Sequence, residues 1–191
     1  MTSPDIIDIL AGLAPGAALR AARPAARLNA QKSFEALFLD PAPDLMAREE
    51  RLAIALFVAG LHADAPSMQL YGEMLRDQAA AGLRAAIDEA VTAGRTEGPY
   101  GAFPEGPLSV EDTPGPVFSA NPAGLGDRLA AAFDHAHLLV YHPRDARRDA
   151  IEKLAAAGWS ADDIVTLSQL VSFLCFQIRA GAGLRVLAAA Q

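Results

Sequence analysis

Glu50 and His62 are separated by eleven residues, the carboxylate within one apolar segment and the imidazole at the break that follows it. Brought together, such a pair can exchange protons as general acid and base. The helix expected just after His62 would offer free N–H groups that favour an anion nearby. A structural alternative stands beside this reading. Arg48, Glu49, Glu50 and Arg51 are also the charged first turn of a helix, and His62 its capping residue. Spacing alone favours that alternative, because pairs of this kind arise often by chance.

Two further groups carry chemical side chains. His135, His137 and His142 lie close together with Asp134 beside them. His135 and His137 are i and i+2 and point to different faces of a helix, unlike the i, i+4 spacing of a helical zinc site. A metal would need ligands from elsewhere, such as Glu50 or His62, so no metal is assigned. As structural elements, these rings would sit near the carboxyl end of a helix, where imidazolium meets the negative pole favourably. Ser168, Ser172, Cys175 and Arg179 follow one another at offsets of 4, 3 and 4, which places them on one helix face. Gln169 and Gln177 add polar groups to the same apolar run, and buried polar groups need partners. Packing between helices is the commoner cause of such a stripe. Cys175 has no His or Lys within one turn and reads as an inert small hydrophobe.

Composition bounds the rest. In 191 residues, apolar types make up 52% and charged types 20%, the balance of a folded globular chain. The net charge of −7 argues against a nucleic-acid backbone or an anionic membrane as partner. With one cysteine there is no intrachain disulfide, CxxC dithiol or thiolate zinc site. Residues 1–8 carry no Lys or Arg and no unbroken apolar core, so a secretory signal is not expected and the setting reads as cytoplasmic. The apolar stretch 164–178 is short and carries five polar side chains, so it reads as a buried helix rather than a membrane span. No phosphate-binding loop, dinucleotide fingerprint, HExxH or GxSxG is present, and no cofactor is implied.

The elements that must position these groups are helices. Ala and Leu dominate and no strand is needed. The pattern predicts helices over 4–13, 24–39, 47–61, 66–91, 121–141, 145–157 and 160–187, with turns at 14–16 and 40–44. The second helix should bury Leu28, Phe34, Leu37 and Phe38. The third is apolar on most sides and belongs in the core. Asp64 is a plausible N-cap for a helix with Pro66 in its first turn. Ser160 caps the last helix, with Asp163 three residues on. Between 94 and 126, 13 of 33 residues are Gly or Pro and no period is visible. Such a loop is either a lid, binding loop or oligomer arm, or a mobile insertion. Tyr100, Phe103 and Phe118 favour an ordered arm.

Several segments carry a family likeness: REERLAIALFVAGL at 48–61, GWSADDIVTLSQLVSFLCFQIR at 158–179, HAHLLVYHPRD at 135–145 and DIIDILAGL at 5–13. Through them the chain resembles the peroxidase-related branch of the alkylhydroperoxidase D-like / carboxymuconolactone decarboxylase superfamily. The resemblance implies a single all-α domain of about seven helices over 1–191. An N-terminal helical extension would cover about 1–40, and the Gly/Pro-rich insertion 94–126. It also implies a homo-oligomer, as does the apolar last helix, which would otherwise expose much apolar surface.

The family's peroxidases use a glutamate, then eleven residues, Cys-x-x-Cys, and a histidine after three more. Here Glu50 takes the glutamate position, His62 and Ala65 stand at the cysteines, and Gln69 stands at the histidine. Peroxide reduction by a dithiol needs an attacking and a resolving thiol, so dithiol peroxidase activity is not expected. The decarboxylase side needs proton transfer and charge stabilisation without sulfur. On that reading Glu50 and His62 are the catalytic candidates, and Arg179 or Arg185 would hold a ligand carboxylate. Gln69, His135 and Arg179 are the ligand-binding candidates. The expected chemistry, if the chain is an enzyme, is lyase-like or peroxidase-related handling of a small organic acid or oxidised metabolite. The rival expectation is a non-catalytic oligomeric ligand-binding or scaffold protein.

Overall fold

The computed structural model describes residues 5–14, 18–40, 46–76 and 80–190. The fold is all-α, with 71% of the described residues helical and no strand among them. Among the described residues eight α-helices follow in order: α1 Ile6–Leu10, α2 Pro24–Phe34, α3 Arg48–Leu61, α4 Ala65–Arg76, α5 Leu83–Gly94, α6 Gly126–Tyr141, α7 Arg148–Ala156 and α8 Ala161–Ala189. A π-helical turn, Glu35–Leu39, continues α2, and a 3-10 turn, Pro143–Asp145, joins α6 to α7. The expected start of the first helix at Pro4 and most of the turns at 14–16 and 40–44 lie outside the described residues.

Helix α3 is the centre. Every residue from Arg51 to Leu61 is buried, and α4, α5, α6 and α8 pack around it. An apolar surface on all sides requires that enclosure, because no stripe is left for water. Phe57 of α3 stacks on Phe133 of α6 with ring centroids 4.2 Å apart. Tyr71 of α4 donates to Oε1 of Gln177 on α8 across 2.5 Å, a buried polar contact between two core helices.

Three expectations are corrected. Leu28 is 54% exposed rather than buried, whereas Phe34 and Phe38 of the same segment enter the core. The single helix expected over 66–91 is two, because Gly82 adopts φ +88° and starts α5 in a left-handed conformation that an α-helix cannot continue through. The last helix spans Ala161–Ala189, close to the expected 160–187, but its apolar run is longer than the 164–178 stretch judged too short for a membrane. At 29 residues, with mean hydropathy 1.4 over its most apolar window, α8 is long and apolar enough to cross a membrane. In this fold Leu167, Leu170, Leu174 and Ile178 of that helix lie in the protein core.

The 94–126 segment packs as an arm along the ends of α3 and α6. Phe118 stacks at 5.7 Å on Phe57 and at 4.8 Å on His137. The Tyr100 amide donates to the Tyr141 carbonyl across 2.6 Å, and Gly101 pairs with Thr113 in an isolated bridge. Phe103 lies under the Arg144 guanidinium, 4.0 Å from its carbon to the ring centre. Aromatic contacts thus replace the regular hydrogen bonding that the Gly/Pro content forbids.

Gly60 permits the close approach of α3 and α5. A Cβ there would fall 2.4 Å from Cγ2 and 2.7 Å from Cγ1 of Val91. Overpacking of this kind costs about 1–3 kcal/mol. Gly60→Ala is therefore expected to lower the urea unfolding midpoint by a corresponding amount; an unchanged midpoint would refute the tight α3–α5 contact.

Candidate functional site

Since α3 has no solvent face, its side chains reach a surface only near its two ends. At the amino end Glu50 occupies the third helical position. Its Oε2 accepts from the Ala47 amide at 3.1 Å, the return half of a capping box. Its Oε1 accepts from Arg128 Nε at 2.7 Å. Arg128 also pairs with Asp163 at 3.3 Å and lies over the Trp159 ring at 3.9 Å. Buried Arg51 completes this end, donating from Nε to the Met46 carbonyl at 2.8 Å and from Nη1 to the Leu37 carbonyl at 3.2 Å.

At the carboxyl end the chain leaves the helix through His62 and Ala63. Ala63 takes φ +52°, an uncommon left-handed conformation for a residue with a side chain. The Ala63 and Asp64 amides donate back to the Gly60 and Ala59 carbonyls at 3.0 and 3.1 Å, closing the helix end. Asp64 caps α4 by accepting from the Ser67 amide at 3.2 Å and hydroxyl at 2.6 Å. It also pairs with Arg185, whose Nη1 donates to the Leu10 carbonyl at 2.7 Å. This reversal turns the His62 ring toward α8.

The ring meets a thiol. His62 Nε2 lies 3.4 Å from Sγ of Cys175. Both residues line a cavity of about 680 Å³ whose other walls include Tyr141, Ser172, Phe176 and Arg179. Arg179, one turn beyond Cys175, makes no ion pair among the described residues. Burial pushes the Cys175 thiol above its ordinary value of 9.0, with the Arg179 charge opposing. Burial also holds His62 below 6.5; Arg179 adds to that effect and Asp64 opposes it. The resting pair is therefore a neutral thiol against a neutral imidazole. Such an imidazole is free to take a proton, and the guanidinium beside it suits an anionic group.

The sequence candidates separate accordingly. His62 and Arg179 share this cavity. Glu50 does not, since twelve residues of helix at about 1.5 Å each set it about 18 Å away. The proposed Glu50–His62 acid/base pair does not form, for that reason and because both Glu50 oxygens already have partners. Arg185 is engaged with Asp64 and Leu10 rather than free for a ligand. Gln69 is exposed on α4, donating to Glu73 Oε1 at 3.0 Å. His135 lines a different cavity, between α6, α7 and the arm. His137 bonds the Gly94 carbonyl at 2.9 Å, and His142 bonds Asp145 and the Pro116 carbonyl at 3.1 and 3.0 Å. Among the described residues no three His, Cys, Asp or Glu side chains converge as metal ligands.

Cys175 is the site residue that sequence reasoning set aside. The stripe containing it was legible. Its histidine was not, because the partner lies 113 residues away and only the packing of α3 against α8 brings it close.

No protein-family model matches the chain, and no curated protein does.

Two buried histidines and the half-buried His62 set a pH response. Burial lowers the pKa of His62, His135 and His137 from 6.5. Between 6.5 and those lower values the unfolded chain binds more protons, so stability must fall as pH falls through that window. The thermal midpoint is expected to hold near about pH 7.5 and to drop toward about pH 5.5, with part of the drop lost in His62→Gln. A midpoint that stays level over that interval would exclude neutral buried imidazoles.

Proposed function

We propose that the chain is an alkylhydroperoxidase/carboxymuconolactone decarboxylase-like protein of peroxidase-related lineage that has lost its redox dithiol. It takes a small organic acid or oxidised metabolite in the cavity at the carboxyl end of α3. The lineage rests on the resemblance of the 48–61 and 158–179 segments. The site rests on one observation: His62 Nε2 lies 3.4 Å from Cys175 Sγ, in a cavity that also holds Arg179, which has no ion-pair partner among the described residues.

Each residue has a chemical role in this reading. Arg179 anchors a carboxylate or other anionic group. His62 carries the proton, and Cys175 is the group it can deprotonate. A bound anion would offset the Arg179 charge that depresses His62, making the imidazole a stronger base once substrate is present. Glu50 is assigned to the capping box and the Arg128 ion pair, not to catalysis. The chain is further proposed to be cytoplasmic and a homo-oligomer, the oligomer alone being supported by exposed Phe176, Val186 and Leu187 on α8.

The second reading is a non-catalytic oligomeric ligand-binding or scaffold protein. It is favoured by the engagement of Glu50, which removes the carboxylate from any acid/base pair with His62.

Alkylation discriminates between them, since the one cysteine makes labelling single-site. The rate with anionic iodoacetate relative to neutral iodoacetamide is expected to fall about 3- to 10-fold in Arg179→Gln. His62→Gln is expected to slow both reagents about tenfold or more. A ratio unmoved by Arg179→Gln would remove the anion site and leave the scaffold reading. With a dithiol donor, hydroperoxide consumption should match that of Cys175→Ser, because burial keeps the Cys175 thiol protonated and only a thiolate attacks peroxide. Robust turnover that vanishes in Cys175→Ser would overturn the loss of peroxidase chemistry.

A further inference from the structure

The His62 cavity offers a ligand one charge and little else that is polar. Of the twelve residues that line it, Arg179 alone is permanently ionised, and none is a carboxylate. Its two hydroxyls are already engaged inside the protein. Tyr141 donates to the Leu61 carbonyl at 2.6 Å, and Ser172 donates to the Ser168 carbonyl at 2.8 Å. The His62 ring and the Cys175 thiol face each other at 3.4 Å, one turn of α8 from Arg179. The polar capacity that remains is therefore gathered in one place.

The other walls are apolar. Leu139 and Pro143 come from the carboxyl end of α6 and the turn after it, Pro99 from the arm and Phe176 from α8. Leu139 is half-buried, Pro99 and Pro143 are exposed, and Phe176 is 49% exposed. The arm wall is tied to α6, since the Tyr100 amide donates to the Tyr141 carbonyl at 2.6 Å. At about 680 Å³ the cavity lies in the range that takes a drug-sized ligand, so a two-carbon acid would leave most of it to water.

We propose that the ligand of this cavity is a monocarboxylate with an unadorned apolar body of about six to ten carbons, not a di- or polycarboxylate or a polyol. The proposal rests on the reading of Arg179 as an anion anchor. The carboxylate meets the Arg179 guanidinium beside His62 and Cys175, and the body lies against Pro99, Leu139, Pro143 and Phe176. A second carboxylate would be stripped of water against those side chains with no counter-charge. Hydroxyls along the body would find the Ser172 and Tyr141 hydrogens already committed.

Titration calorimetry on the full chain with butanoate, hexanoate and octanoate tests the body; octan-1-ol and octanedioate vary the charge at either end. Affinity is expected to rise about twofold or more per added methylene. Octanedioate and octan-1-ol should each bind about tenfold or more weaker than octanoate. Octanoate should also slow iodoacetamide labelling of Cys175, which places it in this cavity. Leu139→Gln and Phe176→Gln should each flatten the chain-length series, and Phe176→Gln, at the more exposed position, serves if Leu139→Gln does not fold. Equal affinity for butanoate and octanoate would overturn the apolar body while leaving Arg179 as an anion site. Equal affinity for octanoate and octan-1-ol would remove that anion site, and this proposal with it. Octanedioate binding as tightly as octanoate, no saturable binding of octanoate, or binding that leaves Cys175 labelling unchanged would overturn the proposal as well.

Discussion

Helix α3 is enclosed on every side, and most of what the protein can do follows from that enclosure. A helix without a solvent face can offer chemistry only from its first and last turns. The two ends lie about 18 Å apart, so groups at one cannot cooperate with groups at the other. The amino end is occupied by structure: a capping carboxylate, a buried arginine and an ion pair to α6 and α8. The carboxyl end opens on a cavity. The division of labour between the ends is thus a consequence of length and burial.

At the amino end, charge is placed where water is scarce. Arg51 is 1% exposed. Burial lowers its pKa, while the nearby charges of Asp163 and Glu50 raise it. A lone buried cation is costly, and two carbonyls and two carboxylates offset that cost here. Arg128 ties the same carboxylates to α6, with Trp159 stacked on its guanidinium and donating to its carbonyl at 2.9 Å. Removing Glu50 would therefore disturb folding whatever its effect on chemistry. Loss of activity in such a variant would not by itself identify a catalytic acid.

At the carboxyl end an imidazole and a thiol meet without a resident charge pair. A thiolate–imidazolium pair would need a polar or electropositive setting that outweighs desolvation. At Cys175 and His62 burial works against both charges, and Arg179 helps the thiolate while opposing the imidazolium. A single bound anion would therefore alter the balance at both partners.

The sequence by itself determined the helical class, the position of α3 in the core, the caps at Asp64 and Ser160, and the stripe on α8 that carries Cys175 and Arg179. Each of these depends on residues within a few turns, where period, cap chemistry and propensity act directly. It also marked His62 as a residue at a helix end. It did not reveal that Gly82 divides one expected helix into two, that Leu28 faces outward, or that Glu50 is held by Arg128. Only the tertiary structure decided the pairings: His62 with Cys175, Glu50 with Arg128, the arm with Phe57 and His137. Those contacts join residues from 19 to more than 100 positions apart, and no local pattern encodes which helix face will meet which. The physical reason is that an apolar helix can pack against several neighbours, and the one chosen depends on the shape of the whole core.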